Sequence, residues 1–319
     1  MLDIKYIREN PDVVKKAVKV KNSKVDVDEL LKLDSEARQL QTQADAKRAE
    51  QKLKSKEARG ESPELKALKT AIQEFEKQES ELTAKLHELL CQVPNIPFAD
   101  VPVGKDESEN VVAREVGVKR VFGFKPKDYL SVAEALDIVD VKTSAEVSGT
   151  RFGYLKGGAA LLEFALIQFA LSVFTSQEKL GAIAAAANLS TISAKPFVPV
   201  VPPVMIKPAV LQKMARLDPA DDRYHIPSDD LYLVGSAEHT LGPLHMNHTF
   251  AESELPVRYV GFSTSFRRES GSYGRDTKGI IRVHQFDKVE VESFCLSETS
   301  RHEQDFIVAC QEYLWQQLG

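Results

Sequence analysis

A heptad pattern of apolar residues runs through the first third of the chain. Between residues 65 and 89 the apolar positions follow one another at spacings of three and four, with one polar break at Glu79. These positions are Leu65, Leu68, Ile72, Phe75, Leu82, Leu86 and Leu89, and the upstream repeat is Leu30, Leu33, Ala37, Leu40 and Ala44. Because such a seam lies on one side of a helix and must be buried, the pattern predicts two long helices that pack together.

The segment between the two heptad runs contains signals that end one helix and start another. Gly60 can close the first helix, Ser62 can cap the second, and Pro63 fits its first turn. They predict an antiparallel helical hairpin whose arms are each about 45 Å long at 1.5 Å per residue. Such a hairpin can also be a dimerisation coil or a spacer, and the heptads alone do not decide among these roles.

Positive charge accumulates where the apolar seam of the hairpin weakens. Residues 47–59 contain six basic and two acidic residues, a local excess of +4, although the whole chain has a formal net charge of −5. The basic residues are Lys47, Arg48, Lys52, Lys54, Lys56 and Arg59. A projecting basic tip is suited to a phosphate backbone, with an affinity that falls as salt rises.

A proline-rich connector marks the predicted domain boundary. Pro94, Pro97 and Pro102 break the helix, so we predict an N-terminal arm over residues 1–105 and a second domain over residues 106–319. The three cysteines are widely spaced and suit reduced thiols. The N-terminus has no apolar block of the signal-peptide type, and the longest apolar stretches fall short of a membrane span. We therefore predict a cytoplasmic protein that makes no membrane contact.

The stretch from Arg258 to Glu290 encloses a charged, glycine-containing turn between two apolar runs. Residues 258–266 and 280–294 have the composition and alternation of antiparallel strands. Guanidinium groups, carboxylates and an aromatic ring are concentrated here, at Arg267, Glu269, Arg275, Arg282, Phe286 and Glu290. Arginine forks bind phosphate or carboxylate. A nucleotide together with a small zwitterion would use all of these groups, but the composition alone favours a surface hairpin that binds no ligand.

The amino-acid sequence of this hairpin resembles motif 2 of class II aminoacyl-tRNA synthetases, in the version found in seryl-tRNA synthetases. The string FRRESGSYGRDTKGIIRVHQFDKVE contains F-R-x-E-x-G, G-R-D-T-x-G and R-x-H-Q-F-x-K-x-E. The segments LDIKYIRENPD and LDSEARQL also resemble that family. The apolar helix predicted at 161–174 and the strand that closes on Pro203 resemble motif 1, although a buried helix and an edge strand would share their periodicity.

The resemblance implies an α+β fold. Its parts would be a coiled-coil helical hairpin that contacts tRNA and a class II antiparallel sheet flanked by helices. It also implies a homodimer, with Pro203 at the interface. The enzyme would use ATP with Mg²⁺ to activate L-serine and would transfer the serine to tRNA(Ser). The six basic residues of the hairpin, together with Arg275, would contact the tRNA.

The resemblance assigns the ATP site to motif 2. Arg267 would bind the α-phosphate and stabilise the charge that builds at phosphorus, with Arg268 as a further ATP contact. Glu269 would accept a hydrogen bond from the adenine amino group, and Phe286 would stack on the purine. Arg282 would hold the amino acid carboxylate or the same phosphate.

The segment Ser236-Ala237-Glu238 lies where the family has a T-A-E tripeptide that contacts serine. Ser236 keeps the hydroxyl group of that threonine. Glu238 would bond the substrate hydroxyl and so reject alanine, and Glu290 would pair with the α-ammonium. Alternatively, Glu238 is a surface carboxylate at the end of a strand. The spacing of the nearby histidines fits no common zinc pattern, so we predict no metal ligands in the protein.

Motif 3 of the family has no counterpart between Val291 and Gly319, where Arg301 is the only arginine. The resemblance therefore implies a chain truncated before motif 3, with severely impaired adenylation. Serine-dependent ATP–pyrophosphate exchange by this chain would contradict that expectation. Two rival functions remain open. One is a ligase that loads an amino acid onto a carrier protein, against which the helical arm argues. The other is a non-catalytic tRNA-binding relic.

Overall fold

The computed structural model describes residues 2–57, 62–189, 191–217, 220–270 and 279–319. The chain divides into two compact units, Met1–Glu115 and Val116–Gly319. Gly60, Arg59 and Arg275, which carry predictions about the hairpin turn and tRNA contact, lie outside the described residues.

The first unit is helical and contains the predicted hairpin. Its helices are α1 (Ile4–Glu9), α2 (Pro11–Val20), α3 (Val27–Glu57) and α4 (Pro63–Gln92). Arg48 of α3 pairs with Glu76 of α4, and Leu30 packs in one cluster with Leu86, so the two long helices run antiparallel. The seam residues Ala37, Ala44, Leu68, Ile72 and Leu86 are buried. The heptad prediction of a helical hairpin is confirmed.

Local capping explains where the long helices begin. The Ser62 hydroxyl accepts a hydrogen bond of 3.2 Å from the Leu65 N–H, and Pro63 occupies the first turn of α4. A carboxylate oxygen of Asp26 accepts bonds from the N–H groups of Asp28 and Glu29 at the start of α3. Each cap satisfies backbone donors that have no partner within the helix.

The second unit mixes helices with short and long strands. Its first half contains α5 (Tyr129–Ala135), β1 (Val139–Asp140), α6 (Val141–Ser148), β2 (Tyr154–Leu155), α7 (Gly158–Phe174) and α8 (Gln177–Ala186). Its second half contains β3 (Val198–Val200), β4 (Met205–Ile206), α9 (Pro208–Lys213), β5 (His225–Ile226), β6 (Leu231–Leu233), α10 (Glu238–Leu241), β7 (Val257–Phe266), β8 (Gln285–Phe294) and α11 (Ser300–Leu318). The α+β fold class is confirmed.

The long hairpin of β7 and β8 is the centre of the second unit. Strand β7 pairs antiparallel with β8 and parallel with β3, whereas β4, β6 and β5 form a separate antiparallel sheet. On one face of the hairpin Val260 lies opposite Val291 and packs on α7, α8 and α11, so this is the core face. We call the opposite face, which carries the even-numbered residues of β8, the site face.

Strand β8 is shorter than the predicted segment 280–294, because it begins only at Gln285. The preceding backbone bonds to groups outside β7. The Ile280 N–H donates to the Tyr129 hydroxyl over 3.1 Å, and the His284 N–H donates to the Arg151 carbonyl over 2.9 Å. The apolar residues at 280–284 therefore meet other elements, and their alternation does not extend the ladder.

Helices α7 and α8 are separate, with a bend of 75° between them. The alanine-rich stretch after α7 does not continue that helix, because the chain turns at Thr175 and Ser176. The Ser176 hydroxyl accepts a hydrogen bond of 3.3 Å from the Lys179 N–H and so caps a new helix. No single helix in the described ranges is long and apolar enough to cross a membrane, although this bent pair meets the length and hydropathy criterion jointly.

A buried ion pair joins the hairpin to α11. Arg258 of β7 donates to both carboxylate oxygens of Glu303, at 2.8 and 2.6 Å, and also to the carbonyls of Ser193 and Lys195. The side chains of the pair are 0% and 5% exposed. Because every partner is charged or a carbonyl oxygen, the arginine is fully compensated inside the core.

Candidate active site

The loop between β6 and α10 lies against the site face of the hairpin. The N–H of Phe266, the last residue of β7, donates to the Val234 carbonyl over 2.8 Å and so ties this loop to the end of the strand. Leu241 of α10 packs directly on Gly261, where even a Cβ atom would come within 2.4 Å of its side chain. Glycine at 261 therefore lets α10 approach β7 closely at this point, and a larger residue would have to displace the Leu241 side chain.

This approach brings Ser236 into contact with two residues of β8. The Ser236 hydroxyl donates to a carboxylate oxygen of Glu290 and accepts a bond of 2.8 Å from the Lys288 ammonium. Lys288 also lies 2.6 Å from the same oxygen of Glu290. Ser236 is 2% exposed, whereas the side chains of Lys288 and Glu290 are 32% and 20% exposed, so the ammonium group is only partly shielded from solvent.

The first turn of α10 adds a carboxylate and a buried imidazole. Glu238 is the first residue of α10, its side chain is 27% exposed, and it accepts a hydrogen bond of 2.7 Å from Arg216. The pKa of His239 is lowered to about 4, mainly by burial and then by nearby cations, the first of which is Arg223. Its neutral ring accepts a 3.2 Å bond from the Gly235 N–H and holds the loop in place.

Glu292 lies on the same face of β8, two residues beyond Glu290. Burial is the largest cause that raises the pKa of Glu292 to about 7, and the nearby carboxylates of Glu238 and Glu290 are the next causes. Among the described residues its carboxyl group has no hydrogen bond or ion pair. Perturbed carboxyl groups of this kind are typical of functional sites.

Arg267 and Phe286 lie at the other end of the site face. The Arg267 Nε donates to the Gly235 carbonyl over 3.0 Å, and its guanidinium carbon is 5.2 Å from the centre of the Phe286 ring. The backbone N–H of Arg267 donates to the His284 carbonyl over 3.0 Å, while His284 Nδ1 lies 2.9 Å from the Arg267 carbonyl oxygen. These bonds fix the first residue after β7.

The remaining motif 2 residues form their own contacts near this end. Glu269 accepts a 2.9 Å hydrogen bond from Arg282, so these two residues, each predicted to bind a substrate, are paired with each other. Arg268 is exposed, its guanidinium carbon is 5.7 Å from the centre of the Tyr224 ring, and its N–H donates to the Asp222 carbonyl. Ala237 is fully buried at the start of α10.

Sequence reasoning missed Lys288, Glu292 and Arg216. The first two occupy alternate positions of β8 together with Phe286 and Glu290, so the two-residue period of a strand could have placed them in the site. Arg216 precedes its partner Glu238 by more than twenty positions, and no local pattern indicates that pairing.

The basic residues of the helical arm differ in their partners. Lys47 pairs with Glu50, Arg48 pairs with Asp45 and Glu76, and Lys54 pairs with Glu50 and Glu64. In contrast, Lys52 and Lys56 are exposed and have no acidic partner in the part of α3 and α4 that the structure describes.

The proposed dimer residue Pro203 is exposed, and its carbonyl accepts a 3.0 Å bond from Thr240.

Two sequence families match the chain. The seryl-tRNA synthetase N-terminal domain matches residues 1–97, and the class II tRNA synthetase core domain for glycine, histidine, proline, serine and threonine matches residues 223–319. A serine–tRNA ligase of Dehalococcoides mccartyi is 40% identical over 315 residues, which cover 98% of this chain and 72% of the relative. The serine–tRNA ligase of Clavibacter michiganensis is 39% identical and covers 100% and 73%.

Solved structures agree with these relatives. The seryl-tRNA synthetase of Pyrococcus horikoshii, complexed with ATP, has a TM-score of 0.76 at 33% identity and covers 99% of this chain and 74% of its own. The cytoplasmic serine–tRNA ligase of Naegleria fowleri, in complex with AMP, has a TM-score of 0.73 at 26% identity and covers 99% and 72%. The chain therefore belongs to the seryl-tRNA synthetase family, the class II aminoacyl-tRNA synthetases that ligate serine to tRNA.

Proposed function

We propose that the site face of β7 and β8 binds ATP and L-serine side by side and joins them into seryl-adenylate. The observation that carries this proposal is the order of side chains along β8. Phe286 beside Arg267 offers an end that can bind a purine and a phosphate. Glu290, four residues further along β8, offers with Ser236 an end that can bind an ammonium group. ATP and an amino acid need this arrangement if the carboxylate is to reach the α-phosphorus.

The nucleotide end would use Phe286, Arg267, Arg268, Glu269 and Arg282. Phe286 would stack on adenine, and Arg267 would turn from the ring to the α-phosphate, where negative charge increases during attack. Glu269 would meet the adenine amino group. Arg282 has five N–H donors, so it can hold Glu269 and still bind a phosphate or the serine carboxylate. Arg268 is proposed as a further, exposed contact.

The serine end would use the groups around Ser236. Lys288 already places an ammonium group between the Ser236 hydroxyl and Glu290, which supports the binding of the substrate α-ammonium at the same two acceptors. Glu238 would accept a hydrogen bond from the serine hydroxyl, and the buried Ala237 would shape the pocket. An alanine substrate would leave the Glu238 acceptor unpaired, which is how a site of this type rejects it.

The reaction would need positioning and charge stabilisation, without a covalent enzyme intermediate. A serine carboxylate oxygen attacks the α-phosphorus of ATP, a new P–O bond forms, and the bond to the β-phosphate breaks to release pyrophosphate. The terminal ribose hydroxyl of tRNA(Ser) then attacks the acyl carbon, and AMP leaves. Arg267 would stabilise the first step because its guanidinium meets the developing charge.

Magnesium would reach this site with ATP. Among the described residues no group of three or more histidine, cysteine, aspartate or glutamate side chains could hold a metal ion. This donor set does not form a protein cage for magnesium, so we propose that phosphate oxygens and water supply most of its ligands. No step of the reaction is assigned to a metal held by the protein.

Substitutions that remove or keep the hydroxyl group of residue 236 test the proposed serine end. We expect Ser236→Ala to raise the KM for serine about 3- to 10-fold, because one hydrogen bond is worth about 1 kcal/mol. The KM for ATP should not change. Ser236→Thr, which keeps the hydroxyl, is the matched control and should stay within about twofold of the unmodified chain. Serine titration calorimetry measures the effect on serine affinity, and any serine-dependent ATP–pyrophosphate exchange that the chain supports measures the effect on KM. Equal behaviour of both variants would contradict the proposal.

The helical arm is proposed to bind tRNA(Ser) mainly through the cations that lack internal partners. Lys47, Arg48 and Lys54 already pair with acids of α3 and α4, so tRNA phosphates must compete for them. Lys52 and Lys56 have no such competition within the described residues. Lys52 and Lys56 should therefore contribute more to the binding of tRNA phosphates than their share of the basic residues at 47–59 would suggest.

The salt dependence of tRNA binding tests this assignment. Each phosphate contact contributes about 0.9 to the slope of log affinity against log salt. We expect Lys52→Ala with Lys56→Ala to reduce that slope by about 2, whereas Lys85→Ala, an exposed lysine of α4 away from residues 47–59, should leave it unchanged. Filter binding at several salt concentrations measures the slope. A larger loss from Arg48→Ala than from the double variant would reverse the assignment.

We also propose a homodimer formed through α7, β3 and the residues around Pro203. Leu161, Leu162 and Phe164 of α7 are 71%, 58% and 63% exposed, and Val201 is 81% exposed. Apolar exposure of this extent is typical of protein interfaces. Sedimentation equilibrium should give twice the chain mass of 35.5 kDa, and a monomer at micromolar concentration would contradict the proposal.

A cytoplasmic location without membrane contact is proposed as well. The description of the Naegleria fowleri relative as cytoplasmic supports it. Fractionation of cells that express a tagged chain would test it, and recovery of the chain with membranes would count against it.

A further inference from the structure

Glu292 occupies the far end of the site face. Its cross-strand neighbour is Tyr259, whose hydroxyl group is held by the ring of His245 over 2.8 Å. Phe294, the next residue on the same face of β8, packs edge-on against His245 with ring centres 5.1 Å apart. Aromatic side chains thus border the place where Glu292 lies, beyond the proposed ammonium position at Glu290.

The three carboxylates at this end differ in how they are compensated. Glu238 has Arg216 at 2.7 Å, and Glu290 has Lys288 at 2.6 Å together with the Ser236 hydroxyl. Glu292 has no hydrogen bond or ion pair among the described residues. Both nearby cations are thus engaged by the other two acids. Glu292 is half-buried, and a half-buried carboxylate without a counter-charge is less stable in its charged form than one in bulk water.

The charged surroundings of Glu292 come from several elements. Strand β8 contributes Lys288 and Glu290, α10 contributes Glu238, and the segment after α9 contributes Arg216. Strand β7 contributes Tyr259 with its partner His245. Burial is the largest cause and the two carboxylates are the next largest, and together they raise the pKa of Glu292 to about 7. Near neutral pH the group is therefore divided between its protonated and charged forms.

We propose that Glu292 is a specificity-determining residue, an inference that rests on the proposed serine site. Glu292 releases its proton to solvent when the substrate α-ammonium enters beside Glu290. The entering cation adds a positive charge while Lys288 and Arg216 remain nearby, and a nearby cation favours the charged form of a carboxylate. The O–H bond of the carboxyl group breaks, and buffer or water accepts the proton. A ligand without an ammonium group gains nothing from this change.

The sign of the pH dependence follows from proton linkage. A ligand that lowers the pKa of a group binds more tightly as pH rises, until the group is already ionised in the free protein. With a free value of about 7, the affinity for L-serine should rise about 10-fold between pH 6 and pH 8. Close to one proton should be released per serine at pH 6, and almost none at pH 8.

Calorimetry of the full chain with L-serine measures this proton release directly. Titrations at pH 6, 7 and 8 in buffers of different ionisation enthalpy give the number of protons released per serine bound. Glu292→Gln keeps the shape of the side chain but cannot titrate, so its proton release at pH 6 should fall by nearly one. Because both chains bind the same ligand, the titration of serine itself cancels in this comparison. Glu134→Gln, an exposed acid of α5, is the matched control and should behave as the unmodified chain.

Two further measurements separate the possible failures. The carboxyl carbon NMR signal lost in Glu292→Gln should titrate near pH 7 in the free chain, whether or not serine binds. 3-Hydroxypropionate, which lacks the ammonium group, should bind without proton release. Equal proton release by the unmodified chain and by Glu292→Gln would overturn the inference alone. No serine binding by the unmodified chain would overturn the proposed serine site, and this inference with it.

Discussion

Replacing Arg267 with alanine is expected to lower whatever serine-dependent ATP–pyrophosphate exchange the unmodified chain supports, with a kcat/KM for ATP that falls about 10²- to 10³-fold. One preorganised donor aimed at a developing negative charge is worth about that factor. Arg267 is positioned for the task, because its Nε is held by the Gly235 carbonyl over 3.0 Å and its backbone is fixed by His284. Removal of the guanidinium leaves the α-phosphate end without its central cation.

Two controls show whether the loss concerns charge stabilisation or only the fold. Arg301→Ala removes a half-exposed arginine of α11 that pairs with Asp305 at the surface, and it should leave the rate within about twofold. Arg267→Ala itself should keep the free energy of unfolding within about 1 kcal/mol, because the lost bond to Gly235 is a single hydrogen bond. ATP titration measures binding independently of turnover. An unchanged kcat/KM would remove Arg267 from the reaction.

The second large effect concerns stability. Glu303→Gln is expected to lower the free energy of unfolding of the unit Val116–Gly319 by about 3–5 kcal/mol, because it leaves the buried guanidinium of Arg258 without a counter-charge. The glutamine amide would also direct N–H donors at an arginine that can only donate. Urea denaturation followed by amide hydrogen exchange in β7 and α11 measures the loss.

Neighbouring residues provide the matched comparison. Asp305→Asn makes the same acid-to-amide change on the same helix, but its carboxylate is 43% exposed, and its loss should cost about 0–0.5 kcal/mol. The double variant Arg258→Met with Glu303→Leu removes both charges and should cost less than Glu303→Gln. If the two amide variants cost the same, the ion pair contributes no more than a surface contact.

The helical arm illustrates what local sequence determines well. The apolar seam at spacings of three and four, together with Ser62 and Pro63 at a helix start, requires only neighbours along the chain, and α3 and α4 follow it. The hairpin of β7 and β8 was also predicted, but its boundary was not. The bonds from Ile280 to Tyr129 and from His284 to Arg151 take the backbone before Gln285 away from β7.

The candidate site was predicted residue by residue, but its internal pairing was not. Glu269 and Arg282 were expected to bind different parts of the ligands, and in the structure they bind each other at 2.9 Å. Lys288 was not expected in the site at all, yet its ammonium lies between Ser236 and Glu290. A motif identifies which side chains are present, whereas their partners depend on how α10 lies over β8.

The sequence by itself determined the family, the α+β class and the helical arm, and it predicted the side chains of the proposed nucleotide and serine ends. These follow from patterns whose members are close along the chain, or from a motif read as a string. Only the tertiary structure decided the pairing of Arg258 with Glu303, the bend between α7 and α8, and the unpaired carboxyl of Glu292. Burial and counter-charges come from residues far apart in sequence, so local spacing does not contain them.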